Sequence, residues 1–134
     1  MACIRRIINT IGAPKAVGPY NQAVMVDQTL YMSGQIGLEP TSGVMAEGGV
    51  EAEAHQVFKN MQAVLASVGG NFSNIVKSTV LLTDMKDYPT VNTIYAQYFK
   101  EPYPARAAFA VAGLPKGAKV EIEAIAVLGE IVDK

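Results

Sequence analysis

The sequence predicts an α+β domain: one six-stranded, mostly antiparallel sheet with two helices packed on one face. Three observations carry that expectation. Two segments have helical period and six others read as strands, in the order three strands, helix, strand, helix, two strands (βββαβαββ). No linker, low-complexity tract or solenoid-length repeat interrupts this order, so residues 1–134 read as a single domain. A chain of 134 residues also buries roughly two thirds of its unfolded surface, enough to fold without disulfide or metal.

Residues 4–9 read as the first strand. The stretch 1–26 holds Arg5, Arg6 and Lys15 and no carboxylate, which on paper resembles a transit peptide. No small-residue cleavage cluster follows an apolar core, so the segment is kept in the fold. Residues 23–27 and 30–33 flank a turn at Asp27-Gln28-Thr29. The first helix, 50–68, carries Val50, Ala54, Val57, Phe58, Met61, Val64, Leu65 and Val68 as an i, i+3, i+4 stripe. Gly48-Gly49 precede it, and Gly69-Gly70 supply a left-handed stop. Residues 74–83 are rich in β-branched side chains, with Val76, Val80 and Leu82 expected on one face. The second helix, about 89–100, turns Val91, Ile94, Tyr95, Tyr98 and Phe99 inward, with Pro89 in its first turn and Asp87 as cap. Pro102 and Pro104 stop it. Strands 107–112 and 120–128 close the domain, joined by the loop around Pro115-Lys116-Gly117.

Composition narrows the function. Eleven basic and 12 acidic side chains give a net charge of −1, which offers no electrostatic footprint for nucleic acid or an anionic membrane. No apolar run approaches the roughly 20 residues of a spanning helix, so a soluble protein is expected. Cys3 is the single cysteine, which excludes an intrachain disulfide and fits a reducing compartment. Cytoplasmic placement is therefore expected, with nucleus and mitochondrion left open. One His and one Cys cannot build a Cys/His zinc site, and no metal or cofactor is expected. An apolar fraction of 50% hints that some surface is buried between subunits.

The last strand is the most informative. Val120, Ile122, Ala124, Ala126 and Leu128 alternate onto one face, leaving Glu121, Glu123, Ile125 and Val127 on the other. A solvated face is the ordinary reading of a strand glutamate. Ile and Val in continuation weaken it, and a Glu beside buried apolar surface can hold a raised pKa and move protons. Arg106, in Pro104-Ala105-Arg106-Ala107-Ala108, is a lone cation among small residues, and its planar fork matches a carboxylate. A surface arginine, or an ion pair with Glu121 or Glu123, is the competing reading. Ser33-Gly34-Gln35 ends a strand without the spacing of a nucleophile elbow. His55 falls with Glu51, Lys59 and Gln62 on the polar side of the first helix, which disfavours a Ser-His-Asp triad. Tyr20 follows Gly18-Pro19 in a turn where its hydroxyl can line a pocket. Asn92, near the start of the second helix, reads as a cap or a ligand.

These residues carry a family resemblance. Gly18-Pro19-Tyr20, Ser33-Gly34-Gln35-Ile36, Asn60-Met61, Val91-Asn92-Thr93-Ile94-Tyr95, Pro104-Ala105-Arg106 and the run Leu114-Pro115-Lys116-Gly117 with Val120-Glu121-Ile122-Glu123-Ala124 resemble the reactive intermediate deaminase A (RidA, YjgF) family. Gly48-Gly49-Val50 looks most like its animal branch. The resemblance implies a chorismate-mutase-like fold and a homotrimer with sites in the clefts between subunits. It also implies hydrolysis of 2-iminopropanoate and 2-iminobutanoate to 2-oxo acids and ammonia, without cofactor. By motif, Arg106 would clamp the substrate carboxylate and Glu121 would position or activate water, with Tyr20 as a third catalytic residue. Tyr20, Ser33 and Asn92 would line the pocket, and backbone near Gly34 and Ala108 would contact the ligand. Many members of the family have Cys where Ala108 stands, so no thiol nucleophile is implied here. Two other functions compete: an RNA-cleaving or translation-inhibiting enzyme, and a non-catalytic trimer that binds small carboxylates or acts as a holdase.

Overall fold

The computed structural model describes residues 1–134. Strands β1 (Arg5–Ile8), β2 (Ala23–Val26), β3 (Thr29–Gln35), β4 (Ile75–Leu82), β5 (Ala105–Ala110) and β6 (Val120–Val127) form one sheet, and helices α1 (Gly49–Ser67) and α2 (Tyr88–Tyr98) pack on it. The spatial order is β1-β2-β3-β6-β4-β5. All pairings are antiparallel except β4 with β5, whose crossover is α2. The expected class and element order hold. No helix is long and apolar enough to cross a membrane.

The helical stripe of α1 is where the core sits. Ala54, Val57, Phe58, Met61, Val64 and Leu65 are fully buried against Leu30, Val80, Leu82, Val120, Ile122 and Ala126 of the sheet. The helix ends as its glycines require. Gly69 takes φ +77 and donates to the Ala66 carbonyl, while Gly70 donates to that of Leu65. This double closure satisfies carbonyls that would otherwise lack partners.

Four local expectations need correction. Asp87 does occupy the N-cap position of α2, but its side chain makes no capping hydrogen bond; a 3-10 turn at Met85–Asp87 leads into the helix, and Asp84 accepts from the Lys86 amide. Val76 is exposed rather than in line with Val80 and Leu82. Ile75 opposes Ala126 and Lys77 opposes Ile125, so β4 carries one extra residue at Val76, and Ile75 takes the buried place. The third strand does not end at Ser33; it continues through a second bulge to Gln35. His55 is half-buried, with Nδ1 2.8 Å from the Tyr98 hydroxyl, because α1 and α2 pack together there.

The face of the sheet without helices is largely apolar around Ile7, Tyr31 and Phe109. Ile7, Tyr31 and Phe109 are each about half exposed there, beside the partly buried Leu81, Ile125 and Val127. This departs from the polar outer face that a solvated antiparallel sheet carries.

Candidate active site

Glu121 sits where the β3 bulge opens the sheet. Met32 opposes Ala124 and Gln35 opposes Ile122, so Ser33-Gly34 contains the extra residue on β3. The bulge brings Gly34 under the Glu121 side chain: a Cβ added to Gly34 would lie 2.8 Å from Cδ and 3.1 Å from Oε2. Only glycine leaves room for the carboxylate to lie down there. The side chain is half-buried in a crevice of about 90 Å³, walled by Tyr20, Gly34, Gln35, Ile36, Lys116 and others. That is space for ordered water and the end of a small ligand. Burial, with the like charge of Glu123 adding to it, pushes the Glu121 carboxyl above the ordinary glutamate value. We expect Gly34→Ala to displace the carboxylate and to cost at least about tenfold in turnover with the fold intact, since misplacing a reacting group by an ångström carries penalties of that order. Steady-state kinetics beside a circular-dichroism spectrum checks this.

Buried polar groups on α1 hold the crevice walls. Asn60 donates to the carbonyls of Ile36 and Leu38 and accepts from Gln56. Glu53 accepts from the Lys119 amide at 2.8 Å, just before β6. Both are buried, at 0% and 4% exposure, and each fastens a loop that frames Glu121. The amphipathic pattern of α1 marks its apolar side and gives no sign of these two; the resemblance singles out Asn60 alone.

Tyr20 lines the same crevice and is half exposed. Its segment is braced by Ser33, whose Oγ donates to the Asn21 carbonyl at 2.6 Å and whose amide donates to that of Gln22. Ser33 thus has its hydroxyl proton committed and keeps only acceptor capacity. Gln22, buried, accepts from the Thr10 amide and donates to the carbonyls of Thr10, Ala13 and Pro14, which fixes the loop ahead of Tyr20.

Arg106 belongs to another neighbourhood. It lies on the edge strand β5 opposite Ser78, and Ser78 faces the helices, buried and 2.8 Å from the Tyr95 hydroxyl. The guanidinium therefore stands over α2: Cζ is 4.8 Å from the Tyr95 ring centroid and 5.7 Å from that of Tyr88. Its hydrogen-bond partner is the Tyr88 hydroxyl, at 2.9 Å, and not Glu121 or Glu123. Tyr95, Ala96, Tyr103 and Pro104 form a shallow hollow beside it. Asn92 is half-buried in the second turn of α2, one turn beyond Tyr88, where it helps hold the Tyr88 phenol below its ordinary pKa and makes no capping hydrogen bond. Ala108, two residues along β5, packs half-buried against the core.

Arg106 and Glu121 do not meet within one chain. Glu121 opposes Leu81 of β4, while Arg106 opposes Ser78. They are two strands apart, three residues out of line, and on opposite faces; each offset is about 10 Å. An arginine beside Glu121 would hold its carboxylate ionised, and here burial prevails instead. Tyr88 is the residue that sequence reasoning missed. Its spacing from Asn92 and Tyr95, i, i+4 and i+7, was the available signal.

Fold and residues together define a class: a small α+β domain with a cradled guanidinium on one face and a desolvated carboxylate on the other, suited to an anionic small molecule. A family model described as "Endoribonuclease L-PSP" matches residues 10–128, and the chain belongs to that family. The 2-iminobutanoate/2-iminopropanoate deaminase of Homo sapiens is 57% identical over 96% of this chain and 93% of its own length. The protein of the same name from Bos taurus is 55% identical over the same shares. The crystal structure of RidA from an Antarctic Psychrobacter superposes with a TM-score of 0.88 at 47% identity, covering 91% of this chain and 98% of that one. That of E. coli TdcF with bound serine gives 0.86 at 41% identity, with the same coverage. The resemblance read from the sequence holds, and so does the fold class expected from it.

Proposed function

We propose that this chain hydrolyses reactive 2-imino acids, 2-iminopropanoate and 2-iminobutanoate, to 2-oxo acids and ammonia, a role in metabolite damage control. The carrying observation is Arg106: a cation on an edge strand, held over the Tyr95 ring and hydrogen-bonded to Tyr88, and paired with no carboxylate of its own. A 2-imino acid brings the single carboxylate that such a fork accepts. The names of the relatives support the same reaction.

The chemistry asks little more. An imine carbon is electrophilic, so orientation, water and a group that moves protons suffice. Glu121 takes a proton as water attacks C2 of the protonated imine, forming a neutral tetrahedral carbinolamine. It returns that proton to the nitrogen and takes the hydroxyl proton as C=O forms and the C–N bond breaks, so ammonia leaves with the 2-oxo acid and the last proton passes to ammonia or solvent. Tyr20 orients water or the nitrogen at the crevice mouth. Ser33, Gly34, Asn92 and Ala108 shape the pocket around the ligand.

Because the two halves face apart, the reading requires Arg106 of one copy to meet Glu121 of another. A homotrimer, with the apolar sheet faces buried at its centre, supplies that meeting. The chain then acts as one domain, in the cytoplasm, where Cys3 stays reduced.

The family description keeps RNA cleavage in view, but His55 is engaged by Tyr98 and the net charge is −1. One purified preparation assayed on both substrates decides. We expect accelerated imine hydrolysis, intact RNA and a solution mass of three chains. RNA cleavage without imine turnover overturns the reading, as does 2-oxobutanoate binding without turnover, which describes a binding module. A stable monomer breaks the shared cleft.

A further inference from the structure

Arg106 is fixed from two directions by residues the proposed reaction does not use. Tyr95 lies beneath the guanidinium, its hydroxyl tied to the buried Ser78, so the fork rests over a ring that is itself fixed. Tyr88 takes the edge: Nη2 donates to the phenol oxygen at 2.9 Å. The Asn92 side chain and the Arg106 charge together hold the phenol below its ordinary pKa, as expected of an oxygen that accepts. Tyr88, Asn92 and Tyr95 share one face of α2, so this arrangement is built into a helix rather than a loop.

A free guanidinium offers a carboxylate two two-pronged faces, Nε with Nη2 and Nη1 with Nη2. Nη2 has two hydrogens, one serving each face. A hydroxyl seated on either one closes that face and leaves the other open.

We propose that Tyr88 is a positioning residue for Arg106, occupying one face of its fork so that a substrate carboxylate docks in a single register. The register matters because it sets where C2 of the ligand lies relative to the attacking water. With both faces open, the same carboxylate binds in two orientations about the guanidinium, and one of them carries the imine carbon away from Glu121. This inference rests on Arg106 being the carboxylate clamp.

The experiment compares the assembled parent, Tyr88→Phe and Arg106→Ala on 2-iminobutanoate generated in situ by an amino-acid oxidase, with 2-oxobutanoate binding measured by calorimetry. Tyr88→Phe keeps the ring and loses only the hydroxyl. We expect its kcat to fall about 3- to 10-fold while KM stays level or drops, the signature of added unproductive binding. The 2-oxobutanoate stoichiometry stays at the parent value, which separates lost register from lost folded sites. Parent-like kcat and KM overturn the proposal. So does a KM that rises at constant kcat, or a kcat loss matched by lost binding sites. The underlying reading fails separately: Arg106→Ala with parent activity removes the clamp itself, whereas an inactive Arg106→Ala beside a parent-like Tyr88→Phe removes only the role of Tyr88.

Discussion

Alanine at position 106 is expected to lower kcat/KM for 2-iminobutanoate by about 10²- to 10³-fold and to leave the melting temperature within about 2 °C of the parent. The kinetic size follows from the interaction. Removing one partner of a desolvated, hydrogen-bonded charge pair costs about 2–5 kcal/mol, and every 1.4 kcal/mol is tenfold. The small thermal effect follows from position. Arg106 is exposed on an edge strand, holds no ion pair and stacks on rings that the core already fixes. Arg106→Lys should fall between, because it restores the charge and loses the planar fork. The lysine variant should carry much of its loss in kcat, because its point charge attracts the anion without orienting it. Parent-like kinetics in Arg106→Ala would end the carboxylate-clamp reading whatever the relatives are named.

The sequence made Arg106 and Glu121 conspicuous for a reason that alternation captures. Val120, Ile122 and Ala124 must face the helices, so Glu121 faces away; a lone Arg among alanines and prolines needs no structure to be noticed. The spatial relation of the two was illegible. It depends on β5 pairing parallel to β4 and β6 pairing antiparallel to it on the other side, contacts between distant segments that no window of residues encodes. The bulges at Ser33-Gly34 and Val76 escaped for the same cause: period-two reading assumes one residue opposite one. Yet the β3 bulge makes the crevice, since it slides Gly34 beneath the carboxylate. Asn92 read as a cap or a ligand, and Tyr88 stayed unnoticed because its place beside Arg106 follows only from α2 leading over to β5.

Replacing Glu121 with glutamine should separate activity from stability in opposite directions. Turnover is expected to fall about 10²- to 10⁴-fold, the range a positioned proton-transfer group supplies. The isosteric amide keeps the crevice filled, so the loss reflects chemistry rather than collapse. Stability should rise at neutral pH. Burial and the Glu123 charge raise the folded-state pKa of Glu121 above its ordinary 4.5, so the native state favours the protonated carboxyl. Its favourable contribution is complete below that ordinary value and is lost as pH climbs through the folded-state pKa. Glutamine mimics the protonated form at every pH. The variant should therefore melt above the parent at pH 7.5, and the two should converge near pH 4, where both side chains are neutral. The same comparison reports where Arg106 rests before substrate arrives. If a neighbouring copy already pressed its guanidinium against Glu121, the carboxylate would be favoured and the parent would be the more stable protein at pH 7.5. The tie from Arg106 to Tyr88 argues for the first outcome, with the guanidinium held on its own helix until an anion draws the two halves into one reaction. Full turnover in Glu121→Gln, with no pH-dependent gain in melting temperature, would leave Glu121 as an ordinary strand glutamate.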